Sequence, residues 1–264
     1  MKFGVYCGVS RFAAVKRAGY DYIEAPLCDL AAMDKAAFTD YGARLRECGL
    51  AAETFNCFFK GDLPLIVENA DKAAITAYAE RALERAAAVG GKLAVIGSGR
   101  ARNVPDGFPR ERAEEQFAEV LRICGAAAAK NGMKIAVEPL CREETNLINT
   151  VAEGKAFVVR VGDPHVGCLA DIYHMAKNGE DLAILSQKTP PLFHVHLARA
   201  NADRRMPIGE EDAPLLSRIA ALLHEAGYDA RISLEGSFEP DFETVITALR
   251  PRLRQFDKGE SKNG

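Results

Sequence analysis

Hydrophobic positions along the chain follow two alternating rhythms. Short runs rich in Val, Ile, Leu and Phe recur at 3–7, 22–27, 52–58, 93–97, 134–139, 166–172, 192–197 and 231–238, with the length and composition of buried strands. Between them lie longer stretches at 11–18, 34–48, 70–89, 110–130, 151–161, 180–187, 212–226 and 241–256. Their apolar residues fall three or four apart, as in Phe117, Val120, Leu121 and Cys124, which predicts helices with one buried face. Gly19, Gly49, Gly132 and Gly227 stand just before a strand and predict helix stops. The phrase "AGYDYIEA" returns later as "AGYDARISLE". Eight strand–helix units, one about every 33 residues, predict an α/β fold, a single-domain (β/α)8 barrel. The competing open doubly wound sheet lacks its strand–GxGxxG–helix signature, because Gly97-Ser98-Gly99-Arg100 leads into a loop. The barrel is expected over 1–257, with a disordered tail at 258–264.

Composition narrows the class. The 264 residues are 48% hydrophobic and 27% charged, which leaves out disordered and fibrous chains. A chain of this size buries about three quarters of its unfolded surface. The net charge of −3, with both signs dispersed, gives no footprint for nucleic acid or an anionic membrane. Seven irregularly spaced cysteines without a CxxC predict neither a disulfide framework nor a structural zinc site, and point to a reducing compartment. The opening segment lacks a signal peptide's long apolar stretch, and no run approaches ~18 apolar residues, so a cytoplasmic protein without membrane spans is expected.

Charged residues inside otherwise buried strands carry the candidate chemistry. Four successive strands hold one near the C-terminal end: Glu138 in "KIAVEPL", Asp171 in "GCLADIYHM", His196 in "LFHVHLA" and Glu235 in "RISLEGSF". Strand side chains alternate faces. Ile135 and Val137 then face the outer helices, and Ala136 and Glu138 the barrel axis. Ile232 and Leu234 point out, Ser233 and Glu235 in. His194 and His196 share a face, with Val195 opposite. Three acids and a histidine thus converge at the mouth where barrel enzymes place their sites. Carboxylates buried together require protonation or a cation. Three carboxylates and an imidazole suit Mn²⁺, Mg²⁺ or Co²⁺ better than a thiolate-seeking ion. His194 is expected to be an inner hydrogen-bonded residue, and His165 and His224 surface residues. Tyr6, Cys7, Glu53 and Asn56 are expected at the pocket floor or rim. Arg100, Arg102, Arg110 and Arg112 read as a solvated basic loop, with a phosphate-binding role as the alternative.

These residues resemble those of the xylose isomerase-like TIM barrels, particularly the D-tagatose/D-psicose 3-epimerase branch and its sugar phosphate isomerase/epimerase relatives. "VEPLCREETNLINT" is similar to that family's Glu-Pro-Leu-Asn-Arg-x-Glu-Thr-Asn segment, with Cys141 where Asn is usual. "DIYHM" resembles its Asp-Thr-x-His-Met, and "FHVH" and "LEGSF" fit the last two ligand strands. The resemblance implies that Glu138, Asp171, His196 and Glu235 bind one divalent metal ion, with manganese first and magnesium or cobalt as alternatives. It implies that Glu138 and Glu235 also form the acid/base pair, and that Glu144 and His174 contact the oxygens around C1 and C2 of a small-molecule sugar. It further implies a homodimer or homotetramer.

One departure concerns the substrate grip. The family follows its metal-binding His with Gly-Glu-x-Asn-Arg. Here Asn201 is kept, Arg199 stands at the Glu position and Ala202 at the Arg position, leaving Arg204 or Arg205 to take over. The chain has no Trp, so the aromatic wall of the pocket falls to Phe and Tyr, Tyr6 among them.

The reaction these expectations describe is C3 epimerisation of a ketohexose through a cis-enediolate. One glutamate removes the proton and the other returns it on the opposite face. An aldose–ketose isomerase or an inosose-type dehydratase would begin with the same proton abstraction. An endonuclease IV-like repair enzyme is disfavoured by five histidines and a net charge of −3, and a non-catalytic sugar-binding barrel by the intact acid pair.

Overall fold

All eight strand-like runs form parallel strands in the computed structural model, which describes residues 1–201 and 204–257. In chain order the strands are β1 (Lys2–Tyr6), β2 (Tyr22–Pro26), β3 (Ala52–Asn56), β4 (Leu93–Ile96), β5 (Lys134–Val137), β6 (Val166–Asp171), β7 (Leu192–Leu197), β8 (Arg199–Asn201), β9 (Arg204–Met206) and β10 (Arg231–Leu234). Eight of them close into a barrel in the order β1-β10-β7-β6-β5-β4-β3-β2, while β8 and β9 form a separate antiparallel hairpin. This is the single-domain (β/α)8 TIM barrel that the repeat predicts. The four glycines expected as helix stops each sit at positive φ. The expected tail at 258–264 lies outside the described residues.

Alternation along the strands sorts the core into two parts. Ile135, Val137, Val195, Ile232 and Leu234 join the large apolar layer between strands and helices. Leu93, Val95, Ala136 and Leu169 fill the barrel axis as a small separate cluster, with Phe193 packed against it. Fully burying such a side chain contributes roughly 1.5–3 kcal/mol. The parallel register shifts once between β2 and β3, at Ile23/Glu24, and once between β6 and β7, at Cys168/Leu169. The second shift lets the neighbours Phe193 and His194 both reach the interior.

Several local elements differ from the sequence-based expectation. In place of a helix over 180–187 there is a helix at Ile172–Asn178 and a 3-10 turn at Leu182–Ser186. Asp171 starts that helix by accepting a hydrogen bond from the Tyr173 amide at 2.8 Å, so a site acid doubles as a cap. Short helices at Leu27–Ala32 and Gly99–Arg102 and the β8–β9 hairpin were also beyond the periodicity, which needs longer windows. All seven cysteines are free thiols. Among the described residues, no helix is long and apolar enough to cross a membrane.

Candidate metal centre at the C-terminal mouth

β5 and β10 end at Val137 and Leu234, so Glu138 and Glu235 are the first residues beyond their strands. Asp171 closes β6, and His196 is the penultimate residue of β7. One ligand atom from each of these four lies within 4.8 Å of the others. His196 Nδ1 stands 3.1 Å from Glu138 Oε1, 3.7 Å from Asp171 Oδ2 and 2.8 Å from Glu235 Oε2. Glu138, Asp171 and His196 are buried, and Glu235 is partly open to the mouth. Gly97 makes room for this arrangement: a Cβ there would meet Glu138 Oε2 at 2.3 Å.

The cluster holds more negative than positive charge. Burial pushes the Glu138 carboxyl up to about 8, and repulsion from Glu235 and Asp171 adds to it. Burial acts the same way on Glu235, but the Arg205 guanidinium and His196 outweigh it and hold that carboxyl low. Asp171 is held well below its ordinary range because Arg205 above all, with a hydrogen bond from His196, overcomes its burial. Burial alone would push the His196 imidazole down, yet Glu24 and Glu235 raise it well above its ordinary value. Two acids in one pocket thus have proton affinities driven apart. Three inward oxygens and one imidazole nitrogen form a donor set suited to a hard or borderline divalent cation. The residues present fit such an ion.

Arg205 supplies the cation facing this set. It comes from β9, and its Nη1 donates to Asp171 Oδ2 at 2.5 Å and Glu235 Oε2 at 3.0 Å. Its guanidinium lies 4.6 Å over the Tyr173 ring. Of the two arginines expected at this position, Arg205 reaches the site, and the side chain of Arg204 lies outside the described residues.

His174 is buried behind Arg205. Its Nδ1 accepts the Cys141 amide at 3.0 Å, and its Nε2 lies 2.7 Å from Arg205 Nη2. Burial, with Arg205 adding to it, keeps this imidazole's pKa below its ordinary value. Glu144 is exposed on the loop after β5, and the Cys141 thiol donates to its carboxylate at 3.8 Å. Tyr6 lines the mouth with its hydroxyl 3.4 Å from Cys57 Sγ. Asn56 donates to Glu235 Oε1 at 2.7 Å.

Three placements depart from expectation. Glu53 is at the opposite end of the barrel from Asn56, bound to Lys2 and Arg231. Glu53 is the second residue of β3 and Asn56 the last, so the strand itself carries them to opposite ends. Arg102 is fully buried rather than solvated and donates to the Glu138 carbonyl at 2.7 Å. Arg110 and Arg112 are engaged with Asn146 and Glu68. The third departure is Glu24, which the sequence analysis did not single out. It lies fully buried beneath the cluster between His194 and His196. Its signal was present in "DYIEA", a charged residue at an inward strand position like the four recognised ones.

The chain is similar to several known proteins. The chain is 34% identical over 126 residues to the 3-dehydro-D-guloside 4-epimerase of Escherichia coli (strain K12), covering 45% of this chain and 48% of that protein, so the match spans about half of that relative's length. It is 31% identical over 218 residues to the L-ribulose 3-epimerase of Methylomonas sp. (strain DH-1), covering 80% of this chain and 72% of the relative. A crystal structure of D-allulose 3-epimerase from Methylomonas sp. superposes with a TM-score of 0.78 at 20% identity, over 97% of this chain and 98% of that one, a likeness of fold. The sequence profile of the xylose isomerase-like TIM barrel matches residues 12–254, and the chain belongs to that family.

Proposed function

We propose that the protein is a divalent-metal-dependent sugar epimerase that inverts C3 of a ketohexose. The coarse class, a carbohydrate epimerase or isomerase, is carried by its relatives. Their names share one chemical feature: the inverted carbon neighbours a carbonyl, at C4 beside a 3-dehydro centre or at C3 of a ketose. The observation that carries the finer reading is the convergence of Glu138, Asp171, His196 and Glu235 within 4.8 Å at four successive strand ends. These four would hold the ion, manganese first, with magnesium and cobalt as alternatives. When bound, the ion supplies Lewis-acid polarisation of the sugar carbonyl.

In this reading Glu138 and Glu235 exchange the C3 proton from opposite faces of the sugar, through a cis-enediolate. Asn56 orients Glu235 through Oε1, leaving Oε2 turned to the centre. Arg205 and His174 stand side by side, with Nη2 and Nε2 2.7 Å apart, polar groups suited to an oxygen of a polyhydroxylated ligand. Glu144 reaches the ligand from the rim, and Tyr6 and Tyr173 supply aromatic walls in place of Trp. A cytoplasmic location and a homodimeric or homotetrameric state go with this reading, and light scattering tests the assembly.

The decisive experiment incubates the metal-loaded protein with a panel of ketohexoses in D₂O. Deuterium entering at C3 together with the C3 epimer supports the proposal. Deuterium at C1 or C2 with aldose product would make the protein an aldose–ketose isomerase. Absence of exchange from every ketose would overturn the enolisation chemistry.

A further inference from the structure

Beneath the candidate metal centre lies a second buried group of polar side chains, formed by Glu24 on β2, His194 and His196 on β7 and Ser233 on β10. All four are fully buried. The Glu24 carboxylate faces both imidazoles: Oε1 lies 3.1 Å from His196 Nε2, and Oε2 lies 3.2 Å from His194 Nε2. His194 Nε2 is also 3.1 Å from Ser233 Oγ, which in turn is 2.9 Å from the Tyr22 hydroxyl. The two imidazole rings stand nearly perpendicular, at 85°.

A carboxylate only accepts hydrogen bonds. Both Nε2 atoms facing an ionised Glu24 must therefore carry their protons. When the His196 ring is neutral, as a metal ligand must be, this leaves Nδ1 as the nitrogen with a lone pair, and Nδ1 is the atom surrounded by Glu138, Asp171 and Glu235. The His194 ring is held at Nε2 by both Glu24 and Ser233.

We infer that Glu24 is a positioning residue for the metal centre, which fixes His196 in the Nε2–H tautomer and presents Nδ1 as the ligand nitrogen. The inference rests on the metal-site reading above and adds the identity of the donor atom and of the residue that selects it. Outer partners of this kind set ring orientation and ligand basicity, and their loss typically costs about 10–100-fold in metal affinity. An amide at position 24 offers one acceptor and one donor where two acceptors are needed. With one acceptor where two imidazoles had two, His196 is no longer held in a single tautomer, and the fraction with its proton on Nδ1 cannot ligate.

The test uses the full chain, with ¹⁵N-labelled histidine and Mg²⁺ as a diamagnetic probe. Long-range ¹H–¹⁵N spectra of the wild-type protein should show His196 protonated at Nε2, with the metal-induced shift on Nδ1. Protonation at Nδ1 with ligation through Nε2 overturns the inference without any variant. In parallel, Mn²⁺ binding is measured by the electron paramagnetic resonance signal of the free ion. E24Q should weaken binding about 10–100-fold, and E24D, which keeps the carboxylate, should recover part of that loss. Affinity of E24Q within twofold of wild type overturns the inference. Failure of the wild-type protein itself to bind Mn²⁺ or Mg²⁺ overturns the metal-site reading instead, so the two failures are distinct. Should E24Q not fold, the wild-type spectrum and E24D still decide.

Discussion

The two ends of this barrel use the same residue types to opposite effect. At the N-terminal end, Glu53 accepts from Lys2 Nζ at 2.7 Å and from Arg231 Nε at 2.6 Å, so each carboxylate oxygen has its own cation. At the C-terminal end, Glu138, Asp171 and Glu235 share Arg205 and His196. The first arrangement is satisfied by the chain alone. In the second, three acids share two cations, and the proposed divalent ion would complete the set. In barrels the bottom face serves stability and the top face chemistry. Here the difference has a physical origin in how many cations each acid cluster has been given.

The largest expected effect is at the top. E138Q and E235Q should each lower ketose turnover about 10²–10⁴-fold, the usual worth of a proton-transferring group, while the thermal midpoint of E138Q holds or rises as repulsion from Glu235 and Asp171 is removed. Steady-state kinetics at saturating Mn²⁺ alongside thermal melts checks this. Near-wild-type turnover of either variant with metal bound would remove the two-base mechanism. Next is R205A. Losing this charged donor should raise the KM for sugar on the order of tenfold, while Mn²⁺ binds at least as tightly because a competing cation has gone. Calorimetric titration of Mn²⁺ and a KM determination separate the two consequences.

The bottom should respond in stability alone. E53Q should leave turnover unchanged and cost about 1–2 kcal/mol in urea unfolding, discounted for the exposure of Lys2. The pH dependence follows from the same pair of cations. Burial raises the Glu53 carboxyl, but hydrogen bonds from Lys2 and Arg231 outweigh it and leave it below its ordinary value of 4.5. Its contribution is therefore present above that value and is lost as the pH falls through the lower folded-state value. Wild type should lose its advantage over E53Q across that acid range, and a constant difference between them would contradict the ion-pair account. The smallest effect is expected at Asp21, whose carboxylate accepts the Phe3 amide at 2.7 Å at the exposed bottom rim. D21N should cost about 0.5–1 kcal/mol, with kinetics unmoved.

How much of this was legible in the chain varies residue by residue. The period-two pattern that put Ala136 inside and Val137 outside β5 also put Glu138 inside, and the same rule placed Glu235 beside Ser233. Their shared strand groups Glu53 with Asn56, yet Glu53 stands nearer the other end of β3, where Lys2 and Arg231 reach it. Arg102 reads as loop polarity in sequence, yet it is buried against the Glu138 carbonyl, a partner 36 positions away. Glu24 obeyed the rule and went unmarked because strand 2 lacked the run of neighbouring site residues that marked strands 5, 6, 7 and 10.

The sequence by itself determined the eight-fold strand–helix repeat, the faces of most strands and the four inward ligand candidates, because these follow from short-range periodicity and steric alternation. Only the tertiary structure decided that Arg205 meets Asp171 and Glu235 from a hairpin, that Glu24 spans the interior to two histidines, and that Glu53 belongs to the far end. Those pairings join groups between 30 and 178 positions apart. Closure of the barrel and the stagger of its strands set them, and no local pattern encodes that geometry.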